Sequence, residues 1–110
     1  MSVVLVPIVE GKVGAWRAWA KELIGPRKAE FADLNRRYEL TKHQAWFCQT
    51  PHGPAVVAIH EGTGAESFMK KLGQSPHDFD VWFRSSLESV HGMKLSGPPP
   101  GPMPELVIDS

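Results

Sequence analysis

The chain has 110 residues, with 12 acidic and 12 basic side chains and a formal net charge of zero. This length predicts one domain with one core, and the charge balance argues against nucleic acid or an anionic membrane as a partner. Cys48 is the only cysteine, which excludes an intrachain disulfide and a cysteine-rich metal site. Because no secretory signal and no run of membrane-spanning length stands out, we expect a cytoplasmic protein.

The first half of the chain predicts a strand followed by helix. Val3 to Val9 is apolar at almost every position, which is typical of a strand covered on both faces. Pro7 lacks a backbone N–H, so we expect a bulge or an unpaired position there. From Lys12 the apolar residues recur at helical spacing, and Gly25-Pro26 divides this region into two abutting helices or one kinked helix.

The middle of the chain predicts a β-hairpin and a short helix. Thr41 to Thr50 and Ala55 to Glu61 are rich in β-type residues, and a Pro- and Gly-containing turn separates them. Thr63 followed by Glu66 matches a capping box, which predicts a short helix that ends at Gly73.

The clearest single element is a helix over Ser75 to Gly92. Ser75 is in the position of a cap, Pro76 suits the first helical turn, and Gly92 can end the helix in the left-handed conformation. Its apolar residues fall on one face at spacings of three and four: Phe79, Trp82, Phe83, Leu87 and Val90. Such a broad aromatic face predicts packing against a sheet.

The C-terminal region predicts an arm and a last strand. Residues 96–104 are rich in Pro and Gly, which favours an extended arm. Leu106-Val107-Ile108 would be unusual in a free tail, so we expect an edge strand from Glu105 to Asp109. The resulting order predicts a single ferredoxin-like domain over 1–110: an α+β fold, βαββαβ, whose antiparallel sheet carries helices on one face.

The other face of this sheet predicts a homodimer. Both faces of Val3 to Val9 and of Ala55 to Glu61 are largely apolar, so helices on one side leave an apolar patch uncovered. The simplest cover is a twofold partner that lays its own sheet on this face, and the zero net charge permits such self-association.

Several motifs resemble the dimeric α/β-barrel superfamily of ferredoxin-like proteins: TPHGPAVVAIHE at 50–61 and FDVWF at 79–83, in this order of elements. VHG at 90–92, PPPGP at 98–102 and PELVID at 104–109 resemble a bacterial subgroup whose members generally lack an assigned function. The resemblance implies two protomers whose sheets form a barrel, often with a small-molecule pocket. The superfamily includes cofactor-free monooxygenases, haem-degrading enzymes, lactone isomerases and proteins without known activity, so it selects no reaction.

His60 is the most interesting titratable residue, and three aromatic residues are candidates to join it. It lies among apolar strand residues, where an imidazole can act as a general base or contact a ligand. A core or interface histidine bonded to a neighbouring carbonyl is the favoured interpretation. Tyr38, Trp46 and Trp82 are the other candidate ligand-binding residues, since aromatic walls suit a flat apolar ligand. Helical spacing alone also explains Trp82 as core.

The remaining polar residues predict neither a metal site nor a cofactor. The five histidines lack metal-ligand spacing: His43, His52, His60, His77 and His91. Capping and the helix dipole explain Asp78 and Asp80 better than paired catalytic carboxylates do. Arg37 and Arg84 fit an anion site or ordinary ion pairs equally well.

Three functions therefore remain open for the chain. The first is a homodimer that binds a small apolar or aromatic molecule. The second is a cofactor-free enzyme of the monooxygenase or isomerase type with His60 as base, and the third is a non-catalytic, stress-related or interaction module in which His60 only packs.

Overall fold

The structure is a computed structural model that describes residues 1–95 and 104–110. Its elements in chain order are β1 (Ser2–Pro7), α1 (Val13–Ile24), α2 (Lys28–Arg37), β2 (Lys42–Thr50), β3 (Gly53–Glu61), a 3₁₀ turn (Ala65–Ser67), α3 (Phe68–Leu72) and α4 (Asp78–His91). None of the helices in the two described ranges is long and apolar enough to cross a bilayer.

The strands form an antiparallel sheet in the order β1-β3-β2. This arrangement confirms the predicted α+β class and the predicted hairpin. Pro7 is the last residue of β1 and lies opposite Ala55. The expected bulge is not needed, because a proline at a strand end removes no interior ladder bond.

The helices pack on one face of this sheet. Val4, Val6 and Val56 point toward the helices and pack with Trp16 of α1 and Val90 of α4. A second cluster lies among the helices and the turns beside them, and its buried members are Leu23, Leu34, Leu40, Ala65, Phe68, Leu72, Phe79 and Phe83.

The opposite face of the sheet is bare in the protomer. Leu5, Val57 and Trp46 form one row across the three strands. Leu5 is 48% exposed and Trp46 is 59% exposed. The strand residues therefore divide by parity into a buried face and an uncovered apolar face.

Helix boundaries differ from the prediction at two places. α4 begins at Asp78 rather than beside Ser75, because the His77 ring caps it by accepting a hydrogen bond from the Phe79 N–H at 3.3 Å. No side chain caps the 3₁₀ turn, so the capping box of Thr63 and Glu66 does not form. The left-handed Gly92, with φ of 62°, ends α4 as predicted, and α1 and α2 are separate helices.

Two glycines allow the segment after β3 to approach the segment after α2. A Cβ at Gly64 would overlap the Tyr38 carbonyl oxygen, and one at Gly62 would overlap the Glu39 carbonyl oxygen. The Gly64 N–H donates to the same Glu39 oxygen at 3.2 Å. These glycines are explained by backbone packing.

The C-terminal prediction is not met within the protomer. Residues 104–110 form no strand and are all exposed; Val107 is 80% and Ile108 is 82% exposed. The expected edge strand from Glu105 to Asp109 is therefore absent from this sheet, whose strands among the described residues are β1, β3 and β2. Apart from Pro104, the predicted Pro-rich arm lies outside the described residues.

Candidate functional site

A small cavity lies between the buried face of the sheet and helices α1, α3 and α4. Its volume of about 50 Å³ has room for roughly three to five water-sized groups. The lining side chains are Val4, Val6, Trp16, Trp19, His43, Ala45, Val56, Ala58, His60, Phe68, Met69, Phe83, Leu87, His91 and Met93. No Lys, Arg, Asp or Glu is among these described residues, so the wall is apolar except for three imidazoles and two indoles.

Three polar atoms on the lining side chains are buried without a partner among the described residues: the indole Nε1 atoms of Trp16 and Trp19 and the imidazole Nδ1 of His60. Trp16 and Trp19 lie three residues apart on α1, so both rings are on the face that covers the sheet. Leaving a buried donor unpaired costs about 1–3 kcal/mol. A ligand atom or a water in the cavity would remove this penalty.

His43 and His60 lie side by side on the buried face. They are opposite each other in the β2–β3 register, and their ring centroids are 4.7 Å apart. His43 Nδ1 is 2.7 Å from Asn35 Oδ1, a carbonyl-type acceptor, so the Nδ1 proton donates there and Nε2 is left as an acceptor.

Burial keeps these two histidines neutral. It lowers the pKa of His43 to about 3, with a further contribution from repulsion by His60, and it lowers the pKa of His60 to about 4. His60 is only 1% exposed. At neutral pH the pair therefore presents uncharged rings to the cavity.

His91 joins the end of α4 to the end of β1. Its Nδ1 donates to the Pro7 carbonyl oxygen at 2.8 Å, which fixes the tautomer and leaves Nε2 as an acceptor. Burial lowers its pKa, and the bond to Pro7 opposes that effect. Within the described ranges, no three His, Cys, Asp or Glu side chains lie close enough to hold a metal ion.

The structure brings only His60 of the four candidate ligand-binding residues to the cavity. Tyr38 packs edge-on against Phe68, and its hydroxyl donates to Asp80 at 2.7 Å. Trp46 lies on the opposite, bare face of the sheet. Trp82 packs beneath Arg27, whose guanidinium carbon is 4.2 Å from the ring centroid.

Sequence reasoning missed four polar or aromatic lining residues: Trp16, Trp19, His43 and His91. The signals for three of them are present in the chain. The hairpin turn between Thr50 and Gly53 fixes the register, and that register places His43 opposite His60. The i, i+3 spacing of the two tryptophans likewise places both rings on one helix face. His91 has no comparable local signal.

A second polar cluster, centred on Asp80, is structural. Asp80 is fully buried and forms a bidentate pair with Arg37, whose nitrogens lie 2.7 and 2.9 Å from its oxygens, and it also accepts from Tyr38 and Ser75. Burial alone would raise the Asp80 pKa, but these donors together lower it to about 2. The cluster links α2 to α4.

Both arginine candidates for anion binding are engaged within the chain. Arg37 is held by Asp80 and Asp33, with its Nε 2.8 Å from Asp33 Oδ2. Arg84 donates from Nη1 to the carbonyl oxygens of Leu72 and Ser75 at 2.7 and 2.9 Å. Neither side chain reaches the cavity lining.

Comparison of the chain with protein-family models, with curated proteins and with solved structures finds no match. The resemblance to the dimeric α/β-barrel superfamily stays a prediction.

Proposed function

We propose that this protein binds a small apolar molecule in the cavity between the sheet and helices α1, α3 and α4. The observation that carries the proposal is the set of unpartnered polar atoms on the side chains lining an otherwise apolar cavity. Pockets that bind small molecules commonly combine apolar walls with a few polar groups that orient the ligand.

Binding is favoured over base catalysis by the state of His60. With a pKa of about 4, the His60 imidazole is neutral but a weak base at neutral pH. Efficient general bases have a pKa near the working pH. His60 therefore fits a ligand contact better than a proton acceptor, and the enzyme hypothesis has no observation of its own in its favour.

Native mass spectrometry of freshly purified protein, repeated under denaturing conditions, tests the proposal. We expect an additional mass that leaves on denaturation. Ala58→Leu fills the cavity from the sheet side and should abolish this mass, whereas Ala18→Leu on the exposed side of α1 is the matched control. Overpacking costs about 1–3 kcal/mol, so thermal melts must show that both variants fold.

A crystal of the protein pressurised with xenon gives a second readout that needs no retained ligand. Apolar cavities take up xenon, and we expect an atom in the cavity of the unaltered protein and none in Ala58→Leu. A cavity filled by ordered water that bonds Trp16 Nε1 and His60 Nδ1, with xenon excluded, would contradict the proposal.

The protein also functions, in this proposal, as a homodimer of ferredoxin-like protomers. Support comes from the bare row of Leu5, Val57 and Trp46, since a patch of this kind is usually covered in a stable protein. The Lys42–Glu61 ion pair at 3.0 Å lies in the same sheet and adds no net charge that would repel a second copy. The second copy is the single occupant that we propose for this face.

The exposed C-terminal segment supports the same dimer. β1 pairs only with β3 among the described residues, so its other edge is open, and this is where a ferredoxin-like sheet has its fourth strand. Residues 105–109 carry the exposed Leu106, Val107 and Ile108 and can fill that edge in a partner copy. A cytoplasmic location stays a prediction from the sequence.

A further inference from the structure

The lining of the cavity restricts the charge of its ligand. Among the described residues that line it, none carries a permanent charge, and the three histidines His43, His60 and His91 are held neutral by burial. An ion that entered would lose its hydration without gaining a counter-charge. The lining thus discriminates against carboxylates, phosphates and ammonium groups.

The unpartnered atoms restrict the polar group of the ligand. The indole nitrogens of Trp16 and Trp19 can only donate, and both are buried without an acceptor. The apolar walls need an apolar body, while the two N–H groups need an oxygen that accepts. A purely hydrocarbon ligand would leave both donors unpaired.

We infer that the ligand is a small uncharged molecule that carries a carbonyl or hydroxyl oxygen, which accepts hydrogen bonds from the indole N–H groups of Trp16 and Trp19. This inference rests on the proposed function, because it concerns the same cavity. His60 Nδ1 is the remaining unpartnered atom, and a hydroxyl or a carbonyl oxygen can pair with it according to which ring nitrogen carries the proton.

The test uses four probes of matched size: acetone, isobutane, acetate and isopropylammonium. They have the same number of non-hydrogen atoms and differ in polarity and charge. Binding is followed in ¹⁵N-labelled protein through the indole N–H signals of its four tryptophans, assigned by single Trp→Phe variants. Trp46 and Trp82 lie outside the cavity and serve as internal controls.

We expect acetone to shift the Trp16 and Trp19 signals saturably while the Trp46 and Trp82 signals stay in place. Acetate and isopropylammonium should cause no saturable shift at the same concentration. Trp19→Phe should weaken acetone binding by about fivefold to tenfold and leave isobutane binding unchanged, with Trp82→Phe as the matched control. If a variant does not fold, the shifts in the unaltered protein still decide the question.

The outcomes separate the two proposals. Saturable shifts by acetate or isopropylammonium at the Trp16 and Trp19 signals would overturn the inferred ligand class and leave binding in the cavity intact. Isobutane binding as tight as acetone would overturn the role of the two donors. No saturable effect of any of the four probes would overturn the proposed function itself.

Discussion

His43 and His60 face each other across the β2–β3 pair, with ring centroids 4.7 Å apart on the buried face of the sheet. Phe68 packs against both rings: its ring centroid is 5.3 Å from that of His43 and 4.9 Å from that of His60. Two imidazoles this close inside an apolar wall cannot both hold a proton without severe desolvation and repulsion. The pair therefore connects the cavity to the acid stability of the whole fold.

Acidification is expected to destabilise the protein through this pair. The folded-state pKa values of about 3 for His43 and about 4 for His60 lie below the ordinary value of 6.5, so the unfolded chain binds more protons. The contribution of the two neutral histidines to the free energy of unfolding is fully present above pH 6.5 and is lost as the pH drops toward the folded pKa values. Each histidine contributes up to about 1.4 kcal/mol per pH unit to the slope. Urea unfolding at a series of pH values measures it.

His60→Phe removes one of these titrating groups and should reduce that slope by about one proton equivalent. His52→Gln changes an exposed histidine in the hairpin turn and is the matched control. Asp80, whose pKa is lowered from 3.8 to about 2, contributes its own slope as the pH falls through that interval, so the histidine slope is read at higher pH, between about 4.5 and 6.5. An unchanged slope in His60→Phe would show that His60 is not held neutral by the fold.

Asp80→Asn is expected to lower the free energy of unfolding by about 1–3 kcal/mol. The substitution leaves the Arg37 guanidinium beside a neutral amide and weakens the hydrogen bonds from Tyr38 and Ser75. Arg37 keeps its ion pair with Asp33, but the fully buried position 80 then holds an amide whose NH2 group meets donors and finds no acceptor. Chemical denaturation at pH 7 measures the loss.

Asp78→Asn is the control for this prediction, because Asp78 lies in the same first turn of α4 but is exposed. It loses only its interaction with the helix dipole, which contributes about 0.3–1 kcal/mol. Equal losses for the two variants would mean that the helix end, rather than the ion pair between α2 and α4, accounts for the effect.

The fold class was predictable because strong local patterns determine it. Val3 to Val9 and Ala55 to Glu61 have no competing helical period, and Gly92 ends α4 where the chain predicts. The start of α4 was not predictable in the same way. Ser75, the expected cap, donates a hydrogen bond to Asp80 instead, and His77 caps the helix. Two side chains with similar capping ability compete there, and tertiary contacts decide between them.

The candidate site was harder to predict because it depends on contacts between elements. Tyr38 and Trp82 were placed correctly on helices or their ends, but aromatic character does not say which cavity a ring faces. The Tyr38 hydroxyl donates a hydrogen bond to Asp80 on α4, and these two residues are 42 positions apart in the sequence. Trp46 and Phe47 lie on opposite faces of the sheet because strand residues alternate. The sequence alone does not say which of the two faces the helices cover, so the exposed position of Trp46 could not be predicted.

Gly64→Ala is expected to destabilise the protein by more than about 1 kcal/mol. The new Cβ would overlap the Tyr38 carbonyl oxygen, so the segment after β3 must move away from the segment after α2. Gly14→Ala in α1 is the matched control, because its Cβ would meet nothing within 4 Å. That variant should gain up to about 1 kcal/mol from helix propensity. Thermal melts distinguish the opposite signs, and a stabilised Gly64→Ala would contradict the close approach.

Trp46→Lys is expected to convert a dimer into a monomer. Trp46 is 59% exposed in the protomer and lies on β2, beside Val57 of the central strand β3. A twofold partner on the bare face would bury two copies of the new charge. Sedimentation velocity measures the state. Ile24→Lys, at a residue that is 76% exposed at the end of α1, is the matched control and should leave the dimer intact.

Truncation after Lys94 removes the exposed C-terminal segment and should weaken the dimer as well. A dimer that survives Trp46→Lys would place the interface elsewhere, and an unaltered protein that sediments as a monomer would refute the homodimer itself.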